Sequence, residues 1–187
     1  MRIIAGKFKG KKLIEPSDKK TRPLKDLVKE SLFNVIKHSN KFNINLENSN
    51  VLDLFAGVGS FGLEALSRGA KRVIFVDNYS NVLNVLEKNI TNLNLRKKSN
   101  ILKDDLLHNF SFNQLDQKFD IIYLDPPFKE KNIIQLILKI KDSKILKSKG
   151  IIILHRHKNE NDNFSNVLKI IEEKKYGISK IIFLSQF

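Results

Sequence analysis

The residues best suited to chemistry are Asp125-Pro126-Pro127-Phe128, which follow the apolar run Ile121-Ile122-Tyr123-Leu124. Two prolines fix φ twice and remove two backbone donors, so the loop is rigid and its carbonyls are free. Asp125 and the Pro126 carbonyl can accept the two N–H hydrogens of an exocyclic amine on a planar base. Phe128 can stack on the ring. An amine nitrogen conjugated with a ring is a poor nucleophile, and two acceptors orient it and enrich its electron density. Methyl transfer to such a nitrogen is a positioning task, with reacting atoms about 3–3.5 Å apart. A helical base must be flipped or unpaired to enter such a pocket. Alone, the motif also fits a plain strand-ending turn.

A second group sits upstream. Asp53-Leu54-Phe55-Ala56-Gly57-Val58-Gly59-Ser60-Phe61-Gly62 lies between an apolar run and a helical pattern, and Asp77 ends the next apolar run. Glycines allow a sharp turn and close approach to a ligand. Asp77 can accept both hydroxyl hydrogens of a ribose. Gly57-x-Gly59-x-x-Gly62 with Asp77 meets the dinucleotide fingerprint literally. A dinucleotide, however, needs its pyrophosphate on the helix N-terminus, where Asp53 would place a carboxylate. S-adenosylmethionine has a ribose, an α-ammonium and a sulfonium but no phosphate, and it suits these residues better. The candidate cofactor-binding residues are Asp53, Phe55, Gly57, Gly59, Asp77 and, for the adenine amine, Asp105 in preference to Asp104.

These groups need a scaffold. Apolar runs at 51–55, 72–77, 100–103, 119–124 and 150–154 read as buried strands. Helical spacing covers 25–38, 61–68, 80–93 and 133–140. Alternation of the two implies βαβ units and a mostly parallel sheet whose ligands bind at the strands' C-terminal ends. Residues 167–173 and 178–184, separated by Lys174-Lys175-Tyr176-Gly177, close the chain as an antiparallel hairpin. Residues 1–14 read as a hairpin around Lys9-Gly10. The expected organisation is an N-terminal extension over 1–40 and an α/β domain over 41–187.

Composition narrows the partners. The 187 residues hold 34 Lys+Arg against 20 Asp+Glu, a formal charge of +14, well above the roughly 2–8 comfortable for a small domain. Excess positive charge favours a polyanion, most often nucleic acid, although lysine can also simply solvate a surface. The N-terminal segment concentrates it: Arg2, Lys7, Lys9, Lys11, Lys12, Lys19, Lys20, Arg22, Lys25 and Lys29 face only Glu15, Asp18 and Asp26. With no cysteine, disulfides, thiolate metal sites and cysteine nucleophiles are excluded. No apolar run approaches the roughly 18 residues of a membrane span, and the first residues lack a signal peptide's apolar core. The expectation is a cytoplasmic protein.

Four separated motifs carry a family resemblance. They are Met1-Arg2-Ile3-Ile4-Ala5-Gly6-Lys7-Phe8-Lys9-Gly10-Lys11-Lys12-Leu13, Thr21-Arg22-Pro23 through Glu30-Ser31-Leu32-Phe33-Asn34, Val51 to Arg68, and Asp125 to Phe128. Together they resemble the bacterial small-subunit ribosomal RNA guanine-N2 methyltransferases of the RsmD type over nearly the whole chain. The resemblance implies a seven-stranded, Rossmann-like class I methyltransferase fold and methyl transfer from S-adenosylmethionine to one guanine of 16S ribosomal RNA, without a metal. It implies that Asp53, Gly57 and Gly59 hold the cofactor's amino-acid end, Asp77 its ribose and Asp105 its adenine. Asp125, Pro126, Pro127 and Phe128 would hold the guanine. Arg2, Lys7, Lys9, Lys11, Lys12 and Arg22 would contact RNA, free or in an assembling small subunit, and a monomer is expected. The chain departs from the family pattern at Leu24, where threonine is usual, and at Val58, where serine is usual. His155-Arg156 stands where an acidic residue is expected; His155 and His157 read as surface residues or RNA contacts, not general bases.

Two other readings stay open. An adenine-N6 methyltransferase of DNA or RNA would use the same D-P-P-F chemistry. A basic RNA-binding or assembly protein would keep the fold without the reaction, against which the intact Asp53, Gly57, Gly59, Asp77 and Asp125 argue.

Overall fold

The computed structural model describes residues 1–16, 24–164 and 167–186. In chain order the elements are α1 Asp26–His38, β1 Asn50–Leu54, α2 Ser60–Ser67, β2 Arg72–Asp77, α3 Ser80–Asn92, β3 Ser99–Lys103, β4 Phe119–Leu124, α4 Ile133–Asp142, β5 Leu146–His157, β6 Lys169–Tyr176 and β7 Ser179–Ser185, with short 3₁₀ turns at Arg96–Lys98 and Phe112–Gln114. The strands form one seven-stranded sheet in the order β3-β2-β1-β4-β5-β7-β6. The first five in sequence pair in parallel and β7 pairs antiparallel with both β5 and β6. This is the fold class expected from the alternating pattern.

β1, β2, β4 and β5 are largely buried on both faces, which explains their near-continuous apolar runs; β3 is corrected from a buried strand to a half-buried one, because it lies at the edge of the sheet. Alternation along each strand splits the core in two. Val51, Val73, Ile121, Tyr123, Ile151 and Ile153 face α1, α2 and α3. Leu52, Leu54, Ile122, Leu124, Ile152 and Leu154 face α4. α1 buries Val28, Leu32, Phe33 and Ile36, the apolar face that its spacing foretold. The N-terminal segment folds back on itself through an antiparallel bridge between Arg2 and Lys12, and its Ile3 and Leu13 join the first core.

Two strands differ most from the sequence expectation. β5 is longer than 150–154 on both sides: Leu146 pairs with Phe119 of β4 at its start, and β7 covers its C-terminal end, with His155 opposite Ile181 and His157 opposite Ser179. The closing hairpin turns later than expected, at Gly177 (φ +60°), so Lys174, Lys175 and Tyr176 lie in β6. Among the described residues, no helix is long and apolar enough to cross a membrane.

Candidate active site

The strand order reverses between β1 and β4, which is where ligands of open α/β sheets bind. Asp53 shares its face of β1 with Val51 and so points at α2. It is 1% exposed, and its Oδ2 accepts the Gly62 N–H at 2.9 Å. Burial pushes the Asp53 carboxyl well above its ordinary 3.8, and the nearby Asp125 and Asp77 raise it further. Phe55, Gly57 and Gly59 take left-handed φ values of +58°, +54° and +81° to turn the chain from β1 into α2. For Phe55 this conformation carries a cost that glycine would not. A side chain on Gly62 would lie 2.3 Å from the Phe75 ring, so only glycine lets α2 sit this close to the sheet.

Asp77 ends β2 beside this loop. Its Oδ2 accepts the Gly57 N–H at 2.8 Å and its Oδ1 the Tyr79 N–H at 2.9 Å. Each oxygen keeps a lone pair for a further donor.

Across the reversal, Asp125 follows β4. Register sets what surrounds it. Tyr123 pairs with Asp53 on one side and Ile153 on the other, so two residues further on Asp125 comes beside His155. The Tyr123 hydroxyl donates to Asp125 Oδ2 at 3.3 Å. His155 Nδ1 lies 2.8 Å from Asp125 Oδ1, and His155 Nε2 lies 2.9 Å from Ser179 Oγ. Burial, with the charge of Asp125, pushes the Tyr123 phenol well above 10. The Tyr123 ring stacks on Phe61 at 4.0 Å, and Phe61 on Phe33 at 5.0 Å, tying β4 through α2 to α1.

Both groups open into one cavity of about 450 Å³, walled by Asp53, Phe55, Gly57, Asp77 and Asp125 to Phe128. Leu24 and Lys25, just before α1, and Asn78, Tyr79, Tyr123, His155 and Ser179 also line it. In a chain of formal charge +14, this wall carries three carboxylates and a single lysine. Such a field favours a cationic ligand. Asp53 takes the Gly62 N–H in the first turn of α2 and so sets a carboxylate where a pyrophosphate would have to sit. The residues therefore fit S-adenosylmethionine and not a dinucleotide.

Asp105 is not on the cavity wall. Its carboxylate accepts the Leu107 N–H at 3.0 Å, pairs with His108 at 3.1 Å and meets the Asn78 amide at 3.4 Å. The Leu107 N–H bond chiefly holds the Asp105 pKa below its ordinary value. Asp104 accepts the Asp105 N–H. Asn78, missed in the sequence, is the residue of this corner that reaches the cavity.

The expectation that His155 is a surface residue is corrected: it is 5% exposed, because β7 covers the end of β5. Arg156 is also buried, at 1%. His157 is half-buried.

Lys7, Lys9, Lys11 and Lys12 are exposed on the N-terminal arm. Arg2 is exposed too, with its Nε on Asp26 at 3.1 Å. Arg22 lies outside the described residues. The arm is pinned by Glu64 of α2, whose fully buried carboxylate accepts the Ile4 and Ala5 N–H groups at 2.7 and 3.0 Å and Arg68 Nε at 2.7 Å. Lys29 of α1, also fully buried, sits 3.8 Å from Glu64 and donates to the Arg2 carbonyl at 2.7 Å. Sequence reasoning misses Glu64 and counts Lys29 only among the basic residues of the N-terminal segment, whereas both side chains are buried. A charged residue on the apolar side of a helix was the available signal.

The family model described as conserved hypothetical protein 95 matches residues 1–185. Ribosomal RNA small subunit methyltransferase D of Haemophilus influenzae is 34% identical over 179 residues, covering 95% of this chain and 90% of that protein. YlbH of Bacillus subtilis is 33% identical over 185 residues, covering 97% and 96%. The solved structure of yhhF from Escherichia coli superposes with a TM-score of 0.82 at 26% identity, covering 100% of this chain and 98% of that one. With the methyltransferase-type cavity and these matches along its length, the chain belongs to the conserved hypothetical protein 95 family, that of the RsmD-type ribosomal RNA methyltransferases.

Proposed function

We propose that this protein transfers a methyl group from S-adenosylmethionine to the exocyclic N2 amine of a guanine in small-subunit ribosomal RNA. The observation that carries the proposal is the shared cavity. It brings the Asp53–Asp77 loop and the Asp125–Phe128 loop together at the C-terminal ends of adjacent strands. The related protein from H. influenzae, named for the same class of reaction, supports the RNA substrate.

Bound there, S-adenosylmethionine supplies an electrophilic methyl on a sulfonium. Asp77 accepts the ribose hydroxyls, and Asp53 and Gly57 form the acidic wall for the ammonium end, with Gly59 turning the chain behind it against Leu86 and Phe75. Phe55 packs beside it, and Asn78, which meets Asp105 at 3.4 Å, closes the adenine corner. Asp125 and the Pro126 carbonyl accept the amine hydrogens, Pro127 keeps the loop rigid, and Phe128 offers a face to the base. When the N–C bond forms, the C–S electron pair stays on sulfur and the amine sheds one proton, for which Asp125 is the adjacent acceptor. The arm lysines Lys7, Lys9, Lys11 and Lys12, with Arg2 and Arg22, hold the phosphate backbone. The extension over 1–40 thus serves RNA and the domain over 41–187 the chemistry.

The test offers labelled S-adenosylmethionine with unmethylated small subunits, free 16S RNA and duplex DNA, followed by nucleoside identification. Label on guanine N2 in the ribosomal samples alone is expected. Label on adenine N6 would replace the guanine assignment, and absence of label with the cofactor bound would refute the reaction.

A further inference from the structure

The segment His155-Arg156-His157 has no part in the assignments above. In the fold it holds the substrate loop at both ends. His155 reaches Asp125, the first residue of that loop, at 2.8 Å, and its ring packs near-perpendicular to Phe128, the last, at 5.4 Å between centroids and 86°. His157 meets the same Phe128 ring at 5.3 Å and 65°. Between them, Arg156 donates to the Phe128 and Glu130 carbonyls at 3.4 and 2.9 Å, its Nε anchored on Asp162 at 2.8 Å.

We propose that His155 is a positioning residue for the transfer. Its Nδ1–H fixes the orientation of the Asp125 carboxylate as an acceptor, while its ring fixes the Phe128 stacking platform. This deepens the function proposed above and rests on it. The proton's place follows from partner chemistry. An ionised carboxylate only accepts, so the nitrogen facing Asp125 carries the hydrogen. In a neutral imidazole the other nitrogen then accepts, and the Ser179 hydroxyl donates to it. Asp125 thereby receives one donor on each oxygen, Nδ1–H of His155 on Oδ1 and the Tyr123 hydroxyl on Oδ2. The carboxylate cannot rotate without losing both. Each oxygen keeps a lone pair for the amine, and His155 and Ser179 lie on the same cavity wall.

Two substitutions and one spectrum test this. Asparagine places an N–H at the δ position and preserves the donor to Asp125; leucine fills the site without one. For His155→Leu the single-turnover methyl-transfer rate is expected to fall by about tenfold to a hundredfold, the worth of one hydrogen bond to a charged group. Its cofactor affinity and KM for RNA should hold. His155→Asn should recover most of the rate. In the wild-type protein, ¹⁵N spectra of labelled histidine should show His155 as the Nδ1–H tautomer, in the absence of any substrate. Full rate in His155→Leu, no recovery in His155→Asn, or an unprotonated Nδ1 would each overturn the proposal. The wild-type product nucleoside decides the guanine assignment separately, since the rate ratios are read at whichever nucleoside carries label.

Discussion

Glu64→Gln is the perturbation whose cost the structure specifies most fully. The Glu64 carboxylate is 0% exposed and takes two backbone N–H groups from the N-terminal arm, the Arg68 guanidinium, and the field of Lys29 at 3.8 Å. Glutamine keeps one acceptor but turns an NH₂ group toward a donor, and it leaves Lys29 buried without its counter-charge. Burial already lowers the Lys29 pKa, against the pull of Glu64. Removing one partner of a buried pair costs about 3–5 kcal/mol. At roughly 2–4 °C per kcal/mol for a chain of this size, Tm should fall by about 6–20 °C. Urea unfolding at neutral pH, with an unchanged m-value, measures the loss. Amide exchange at Ile4 and Ala5 should accelerate beyond the global change, because their acceptor is gone. A loss under about 1 kcal/mol would refute the reasoning.

Gly62→Ala should cost about 1–3 kcal/mol by overpacking against Phe75 and Val73, 2.3 and 2.8 Å from the new Cβ, and should weaken cofactor binding in calorimetry; unchanged stability would contradict the close approach of α2. Asp53 has a folded-state pKa above its ordinary 3.8, so its contribution to stability is present below that value and is lost as pH rises through the folded pKa. The stability of Asp53→Asn relative to wild type should therefore increase with pH across this window in denaturant titrations, and a flat difference would refute the shift. Replacing Lys9, Lys11 and Lys12 with alanine should weaken RNA binding and reduce its salt slope by up to about one per lost phosphate contact; an unchanged slope would remove the arm as a phosphate site.

Much of this was legible in the sequence because period and punctuation carry it. β2 and β4 begin and end where their apolar runs do, and the glycine loop and D-P-P-F reach one cavity because both follow strands of a parallel sheet. What escaped depends on contacts distant in sequence. His155 reads as polar and therefore exposed, but β7 returns over it and the register with β4 sets it beside Asp125. Asp105 looked suited to the adenine corner, yet its local turn bonds use its carboxylate, and Asn78 faces the cavity instead. Glu64 and Lys29 look like surface charges until the N-terminal arm folds over them.

In the proposed reaction Asp125, at the end of β4, acts on the amine that receives the methyl group. The most direct test of this role compares Asp125→Ala with wild type in cofactor binding and in single-turnover transfer to unmethylated small subunits. Cofactor affinity should be unchanged and the rate lower by about a hundredfold or more. A variant that transfers methyl at the wild-type rate would contradict this role.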